Sequence, residues 1–400
     1  MIKKYIIILL QPSLRKFVLN FGNKLKNFTF KNIFPAQAGG GYNKLSDFEQ
    51  EIKRCKTHWK NRLRRFLGIP NIRPYFKKKG DLLFTYACLI LTNKPYCTYI
   101  ETGLALYNYD IEIAKNPIAR FLVSFLATRK NCKKLIFVSE ASRKSFYSTI
   151  KYSGRKRIIL EEKSIVIYPI PIEKKESPIK KFDGEIKLLF AGTFYIKGGM
   201  EIVKAFGQLS KKYSNAKLTI LTAIHMIKKE DINYIKSINN LALLDAKLNE
   251  QQMIDIYQSH DIFLLPTFRD GFGLVLIEAL AYGMPMIITD QYATGEMVVD
   301  GYNGFIYPNH PLKDYNPETY ELLGKYYNPR DFYSDLFKLQ KEGKMKPVED
   351  FIYNSMEKFI LNPSLIEEFS KNSIELYNKK FHYQLISDKI ESVFLEAIKK

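Results

Sequence analysis

Two carboxylates stand eight residues apart in the run Leu264-Leu265-Pro266-Thr267-Phe268-Arg269-Asp270-Gly271-Phe272-Gly273-Leu274-Val275-Leu276-Ile277-Glu278-Ala279-Leu280-Ala281-Tyr282-Gly283. Gly271 and Gly273 open a helix over 272–282 that Gly283 and Pro285 close. Every residue of that helix except Glu278 is apolar or glycine, so the helix is expected to be buried and the carboxylate needs a partner. A pair of ligand hydroxyls could supply it; a structural ion pair is the alternative. Eight residues separate Asp270 from Glu278 by roughly 12 Å along a helix, with the unpaired amides of the helix start beside Asp270. That spacing suits a ligand that joins a sugar, a diphosphate and a ribose.

A second constellation is Leu188-Leu189-Phe190-Ala191-Gly192-Thr193-Phe194-Tyr195-Ile196-Lys197-Gly198-Gly199, an apolar strand that runs into a glycine-containing turn and a helix. Glycines let backbone amides approach a ligand, a helix start favours an anion, and Lys197 adds a mobile positive charge, so a phosphate could be held there. The run matches neither the Walker pattern nor GxGxxG, and an ordinary strand-to-helix turn is the plainer alternative.

The elements that must position these residues are those of an α/β chain. Four hundred residues fit two domains of ordinary size, and 46% hydrophobic with 26% charged residues excludes a disordered, collagenous or disulfide-scaffold chain. Apolar runs at 82–84, 96–100, 135–138 and 164–168 alternate with stretches of helical spacing, which gives βαβ units and a parallel sheet. Pro169, Pro171 and the charged run Glu173–Lys181 then break the pattern as a linker. Beyond it, strands are expected at 186–191, 216–222, 262–266 and 284–289, and helices near 200–209, 249–258 and 272–282. The domains expected are 1–172 and 182–378, joined by 173–181, with an insertion at about 310–348 before helices at 348–360 and 364–377. A final amphipathic helix, 379–400, should bury one apolar face against another element.

Charge is uneven: residues 1–80 carry 19 Lys and Arg against 3 acidic residues, so +16 of the net +21 lies there. Within that stretch Ser46 and Glu49 begin a helix whose apolar stripe includes Trp59 and Phe66 and whose other face carries Lys53, Arg54, Arg62, Arg64 and Arg65. Such a helix suits an anionic membrane surface, and a helix packed on its own sheet is the alternative. The apolar run 5–10 is too short for a signal peptide and no run is long enough to span a bilayer, so a cytoplasmic protein on the inner face of the membrane is expected. Cys55, Cys88, Cys97 and Cys132 form no CxxC pair and are expected to be reduced. There is no DxD motif and the five His are scattered, so neither a metal nor a cofactor is expected.

The second half resembles the donor domain of retaining nucleotide-sugar glycosyltransferases of the GT-B fold, in which two Rossmann-like domains face a cleft. The resemblance covers roughly residues 130–310 and 350–400. It rests on an acid followed by Gly-Phe-Gly and, after seven intervening residues, a Glu: here Asp270, Gly271-Phe272-Gly273 and Glu278. It implies that Asp270 approaches the donor sugar hydroxyls and that Glu278 binds the ribose. It also implies that Gly192, Thr193 and Lys197 hold the diphosphate, bordered by Thr289-Asp290 and Gly295-Glu296. The chain departs from the family pattern at three places. Asp270 stands for the usual Glu, Thr193 for a common Arg, and Glu101, at the end of Tyr96–Ile100, for a His. Charge stabilisation of the leaving diphosphate then rests on Lys197, and Glu101 is the candidate acceptor contact or base. Gly39-Gly40-Gly41 is the candidate acceptor loop. A nucleotide-sugar donor, a glycan or lipid-linked acceptor, retention of configuration and a final helix that crosses back to the first domain follow from the resemblance. A sugar-nucleotide epimerase, a phosphorylase, or a non-catalytic binder of anionic surfaces or nucleic acid are the rival functions, although no recognised nucleic-acid module is present.

Overall fold

The computed structural model describes residues 5–10, 25–32, 63, 65–77, 79–171, 179–326 and 329–399. In the first domain, short runs such as Leu82-Leu83-Phe84 and Tyr96–Ile100 are buried on both faces, as parallel strands flanked by helices require. The strands are β1 (Tyr5–Leu9), β2 (Phe28–Asn32), β3 (Ile72–Pro74), β4 (Leu82–Tyr86), β5 (Leu89–Leu91), β6 (Tyr96–Ile100), β7 (Cys132–Phe137) and β8 (Ser164–Val166). Six of them form a parallel sheet ordered β2-β1-β4-β6-β7-β8, and β3 pairs with β5 beside it. Its helices are α1 (Ile111–Lys115), α2 (Pro117–Thr128), α3 (Glu140–Ile150) and α4 (Gly154–Lys163). Asn116 and Ser139 cap α2 and α3 through their side chains, and Pro117 occupies the first turn of α2.

The second domain contains β9 (Ile186–Ala191), α5 (Gly199–Leu209), β10 (Ala216–Thr222), α6 (Lys229–Lys236), β11 (Leu241–Asp245), α7 (Glu250–Ser259), β12 (Ile262–Leu265), α8 (Leu274–Ala281), β13 (Met286–Thr289) and β14 (Gly304–Tyr307). Its parallel sheet is ordered β11-β10-β9-β12-β13-β14. The chain winds outward one way from β9 and returns to pair β12 on its other side, so the crevice beyond the C-terminal ends of β9 and β12 is the topological switch point. The Gly192 turn leaves β9 and the Asp270 loop leaves β12, which places both motifs at that crevice.

In the second domain, besides β14 and α6, which were not expected, three elements differ from the sequence expectation. The edge strand β11 was not expected, because its side chains alternate between half-buried and exposed instead of forming an apolar run. The inserted stretch contains a helix, α9 (Pro329–Lys341), with Phe332 and Leu336 buried. The helix expected over 272–282 starts at Leu274, after Gly273 at φ +84°. After α10 (Lys346–Leu361) and α11 (Ser364–Leu376), a π-helical turn over Tyr377–Phe381 leads into α12 (Tyr383–Lys399).

Helix α12 lies on the first domain. Phe394 is fully buried with its ring 5.7 Å from Phe28, 6.2 Å from Phe30 and 5.2 Å from Phe84. Glu391 accepts hydrogen bonds from the Asn27 amide at 2.9 Å and from its side chain. Of the expected basic helix, 46–62 and 64 lie outside the described residues, with Lys53, Arg54, Trp59, Arg62 and Arg64 among them; 65–67 are helical. Cys88, Cys97 and Cys132 are free and buried, and Cys55 lies outside the described residues, as does 39–41.

Candidate functional site

The turn after β9 is built on glycine. Gly198 has φ +77°, and a Cβ there would sit 2.4 Å from the Pro266 carbonyl, so only glycine lets the turn lie against the loop after β12. The Phe268 amide donates to the Ile196 carbonyl at 2.9 Å and fastens the two loops together. The Lys197 ammonium consequently reaches across, donating to the Arg269 carbonyl at 3.0 Å and pairing directly with Asp270. The other oxygen of Asp270 accepts from the amides of Phe272 at 3.1 Å and Gly273 at 3.0 Å. Burial pushes the Asp270 carboxyl up, but Lys197 and the two amides outweigh it and hold the group below the usual carboxylate range. A cation and two amides at a helix start therefore converge on one anion, and that anion is the chain's own carboxylate.

Glu278 accepts from the Tyr257 hydroxyl at 2.8 Å. Tyr257 is buried and stacked on Tyr282, with centroids 5.2 Å apart, and burial followed by the Glu278 charge raises its hydroxyl pKa. The expectation of a fully buried helix is corrected here. Leu274, Val275 and Glu278 are half-buried, on one edge of α8, so the Glu278 carboxylate is not sealed in the core.

From the first domain, Glu101 at the end of β6 enters the same place. It is buried and accepts from the hydroxyls of Tyr86 and, at 3.2 Å, Tyr109. A Cβ on Gly271 would lie 2.5 Å from Glu101 Oε1, so the absence of a side chain there is what lets the two domains close on each other. Tyr109 follows Asn108, and both have positive φ, 59° and 57°. A left-handed tyrosine is a costly conformation, retained here where its hydroxyl meets Glu101.

The remaining expected residues divide. Gly192 lies against Lys197, where an added Cβ would be 3.0 Å from its Cγ, and Thr193 is half-buried at the head of the turn. Thr289 is buried and its hydroxyl donates to the Thr267 carbonyl at 2.5 Å, holding the β12 and β13 loops together. Gly295 faces Asp290, which pairs with Lys313 at 3.3 Å. Glu296 reaches across to the first domain and accepts from the amides of Glu140 at 3.0 Å and Ala141 at 2.8 Å and from the Tyr168 hydroxyl at 2.9 Å. It therefore caps α3, where a carboxylate complements the helix dipole. Arg65, expected at a membrane, is paired at 2.5 Å with the buried Asp110. Tyr86, Tyr109, Tyr168 and Tyr257, the hydroxyls that orient these carboxylates, were not foreseen; no spacing rule marks a tyrosine brought in from another element. Among the described residues, no group of three His, Cys, Asp or Glu gathers as a metal site, and no helix is long and apolar enough to cross a membrane.

Comparison with known proteins agrees with this geometry. Residues 171–323 match the family model of glycosyl transferases group 1. The capsular polysaccharide biosynthesis glycosyltransferase CapM of Staphylococcus aureus is 23% identical over 80% of this chain and 76% of its own. An uncharacterized glycosyltransferase of Methanocaldococcus jannaschii is 31% identical over 62% of each chain. The crystal structure of Anabaena HepE in complex with UDP superposes over 98% of this chain and 100% of its own, with a TM-score of 0.58 at 13% identity. With its two six-stranded parallel sheets facing one cleft, the chain has the GT-B architecture, and its residues 171–323 form a domain that matches the glycosyl transferases group 1 family.

Proposed function

We propose that the protein transfers a hexose from a nucleotide diphosphate-sugar to a glycan or lipid-linked acceptor in cell-surface polysaccharide synthesis, with retention of configuration and without a metal. The observation that carries this reading is the pairing of Lys197 with Asp270 at the switch-point crevice, with Glu101 of the other domain against Gly271. As the bond between the sugar C1 and the phosphate oxygen breaks, negative charge grows on the diphosphate, and Lys197 exchanges a carboxylate partner for a phosphate. Asp270, released from Lys197, meets the hydroxyls of the sugar. Glu278, oriented by Tyr257, takes the ribose hydroxyls. The acceptor hydroxyl forms the new bond to C1 from the face the diphosphate leaves, and Glu101 positions it. Its proton passes to Glu101 or to the departing phosphate.

The UDP bound in the HepE crystal structure favours a uridine donor, and the capsular polysaccharide biosynthesis of CapM favours a polysaccharide product. A thermal-shift screen against UDP, GDP and ADP and their glucose esters tests the donor site. One nucleotide is expected to stabilise the wild type, and the shift should vanish in Glu278→Ala. No shift with any nucleotide would return the chain to the non-catalytic binders.

Work at the inner face of an anionic membrane belongs to the same proposal. It is supported by the charge of residues 1–80 and by Ile118, Phe121 and Phe125, exposed along one face of α2 with the Arg129 guanidinium 5.4 Å from the Phe125 ring centre. Flotation with phosphatidylglycerol vesicles should weaken in Arg62→Gln/Arg64→Gln and at high salt. Equal flotation of variant and wild type would remove the membrane from the proposal.

A further inference from the structure

The inserted stretch after β14 contains a hairpin that does not belong to the site yet touches the domain opposite. Tyr315 and Leu322 bridge antiparallel, the Asn316 amide donates to the Glu321 carbonyl at 2.9 Å, and Asp314 accepts from the amides of Lys325 at 2.8 Å and Tyr326 at 3.1 Å. Tyr315 and Tyr320 stack with centroids 5.8 Å apart, and Tyr292, rooted in the loop after β13, stands edge-on to both. The hairpin is thus stiff and fixed to the second domain.

Its tip lies on α3 of the first domain. Ser148 donates its hydroxyl to the Thr319 carbonyl at 2.7 Å, Lys151 pairs with Glu321 at 3.4 Å, and the Lys144 ammonium lies 4.9 Å from the Tyr320 ring centre. Leu322 packs against the apolar core on the outer side of the first sheet. Glu296 already holds the N-terminus of α3, so the second domain grips this helix at both ends. Helix α3 in turn holds the segment around Glu101: the Ser142 hydroxyl donates to the Ile100 carbonyl at 2.7 Å, and the Gly103 amide donates to the Ser145 hydroxyl at 3.3 Å.

We infer that Tyr320, Glu321 and Leu322 form a strap of positioning residues, which acts through α3 to hold Glu101 against the Asp270–Gly271 loop and so aligns acceptor with donor. Because it places Glu101 in the reaction, the inference rests on the function proposed above. The strap touches neither Lys197 nor Glu278, so loosening it should leave donor binding intact and slow the reaction.

The test is Tyr320→Ala/Glu321→Lys, two changes at the strap surface, compared with the same chain carrying Lys151→Glu, which restores the opposite charges. With UDP-glucose as donor, kcat for UDP release should fall about tenfold, since a displacement of about 1 Å in a reacting geometry costs up to a hundredfold. KM for UDP-glucose and the thermal shift with UDP should stay within about twofold of wild type, and Lys151→Glu should recover part of kcat. Unchanged kcat, or kcat and donor binding lost together, would overturn the inference. If wild type does not turn over UDP-glucose, amide exchange decides independently. Faster exchange at 100–105 and 140–150 in the variant, without UDP, supports the strap; equal exchange there overturns it.

Discussion

Lys197 and Asp270 retain 19% and 17% of their side-chain exposure, so their mutual attraction is only partly screened by water. Lys197→Ala removes both the cation proposed for the leaving diphosphate and the partner of a carboxylate that burial opposes. Transfer is expected to fall 10²–10³-fold, as for loss of one preorganised charge donor. Stability should fall by about 1–3 kcal/mol, as for a charged group left without its partner, which urea unfolding would measure. A second carboxylate obeys the opposite rule. Glu201, in the first turn of α5, is fully buried, accepts from Gln340 at 2.7 Å through one oxygen, and is pushed by burial up to about 7. The folded chain keeps a proton there that the unfolded chain releases near the ordinary Glu value of about 4.3. Stability from this group is therefore complete below that value and is lost as pH climbs through about 7. Glu201→Gln should raise Tm at pH 8 and change it little at pH 4, where the unfolded chain also keeps the proton, with a gain of at most about 3.5 kcal/mol. An equal change at both pH values would mean that ionisation of Glu201 is not responsible. The sequence displayed Asp270, Glu278 and Lys197 because each interrupts a run of apolar residues or glycines. It did not display Glu201, which is covered where α10 packs on α5 and whose partner Gln340 comes from α9, both from another part of the chain.

At the scale of elements, the legible parts were those that carry their own periodicity. β9, β10 and β12 are apolar runs, and α8 sits between glycines, so their place in the chain could be read to within two residues. Apart from the return of α12, what crosses between domains could not be read. Glu296 was assigned to the diphosphate because it follows β13 at the matching position, but its carboxylate is occupied by the first two amides of α3 and by Tyr168. Glu296→Ala should cost about 1–2 kcal/mol, the usual value of a helix cap. Amide exchange of Glu140 and Ala141 should quicken. Unchanged protection at those two amides would show that the cap contributes nothing in solution. Helix α12 is the stronger tie. Phe394→Ala removes a ring enclosed by Phe28, Phe30 and Phe84 and should cost about 3–5 kcal/mol. The loss should appear as earlier unfolding of the first sheet, with protection of β9, β10 and β12 retained.

At the scale of the molecule, the architecture was legible because doubly wound domains repeat one unit, an apolar strand followed by an amphipathic helix, and each repeat announces itself locally. The basic end of the chain was legible only as charge. Arg65, counted there with the lipid-facing residues, instead neutralises Asp110 at the cap of α1, a pairing 45 residues apart that no periodicity reveals. The return of α12 to the first domain has a consequence for how the protein comes into being. During synthesis, β1 through β8 leave the ribosome long before Tyr383–Lys399, yet Phe28 and Phe84 lack the ring of Phe394 until those residues arrive. At about 5–20 residues per second, the second domain has time to fold while the first waits with an open hydrophobic face. The earlier of the two domains is thus completed after the later one, and the nascent chain must be kept from its neighbours during that interval.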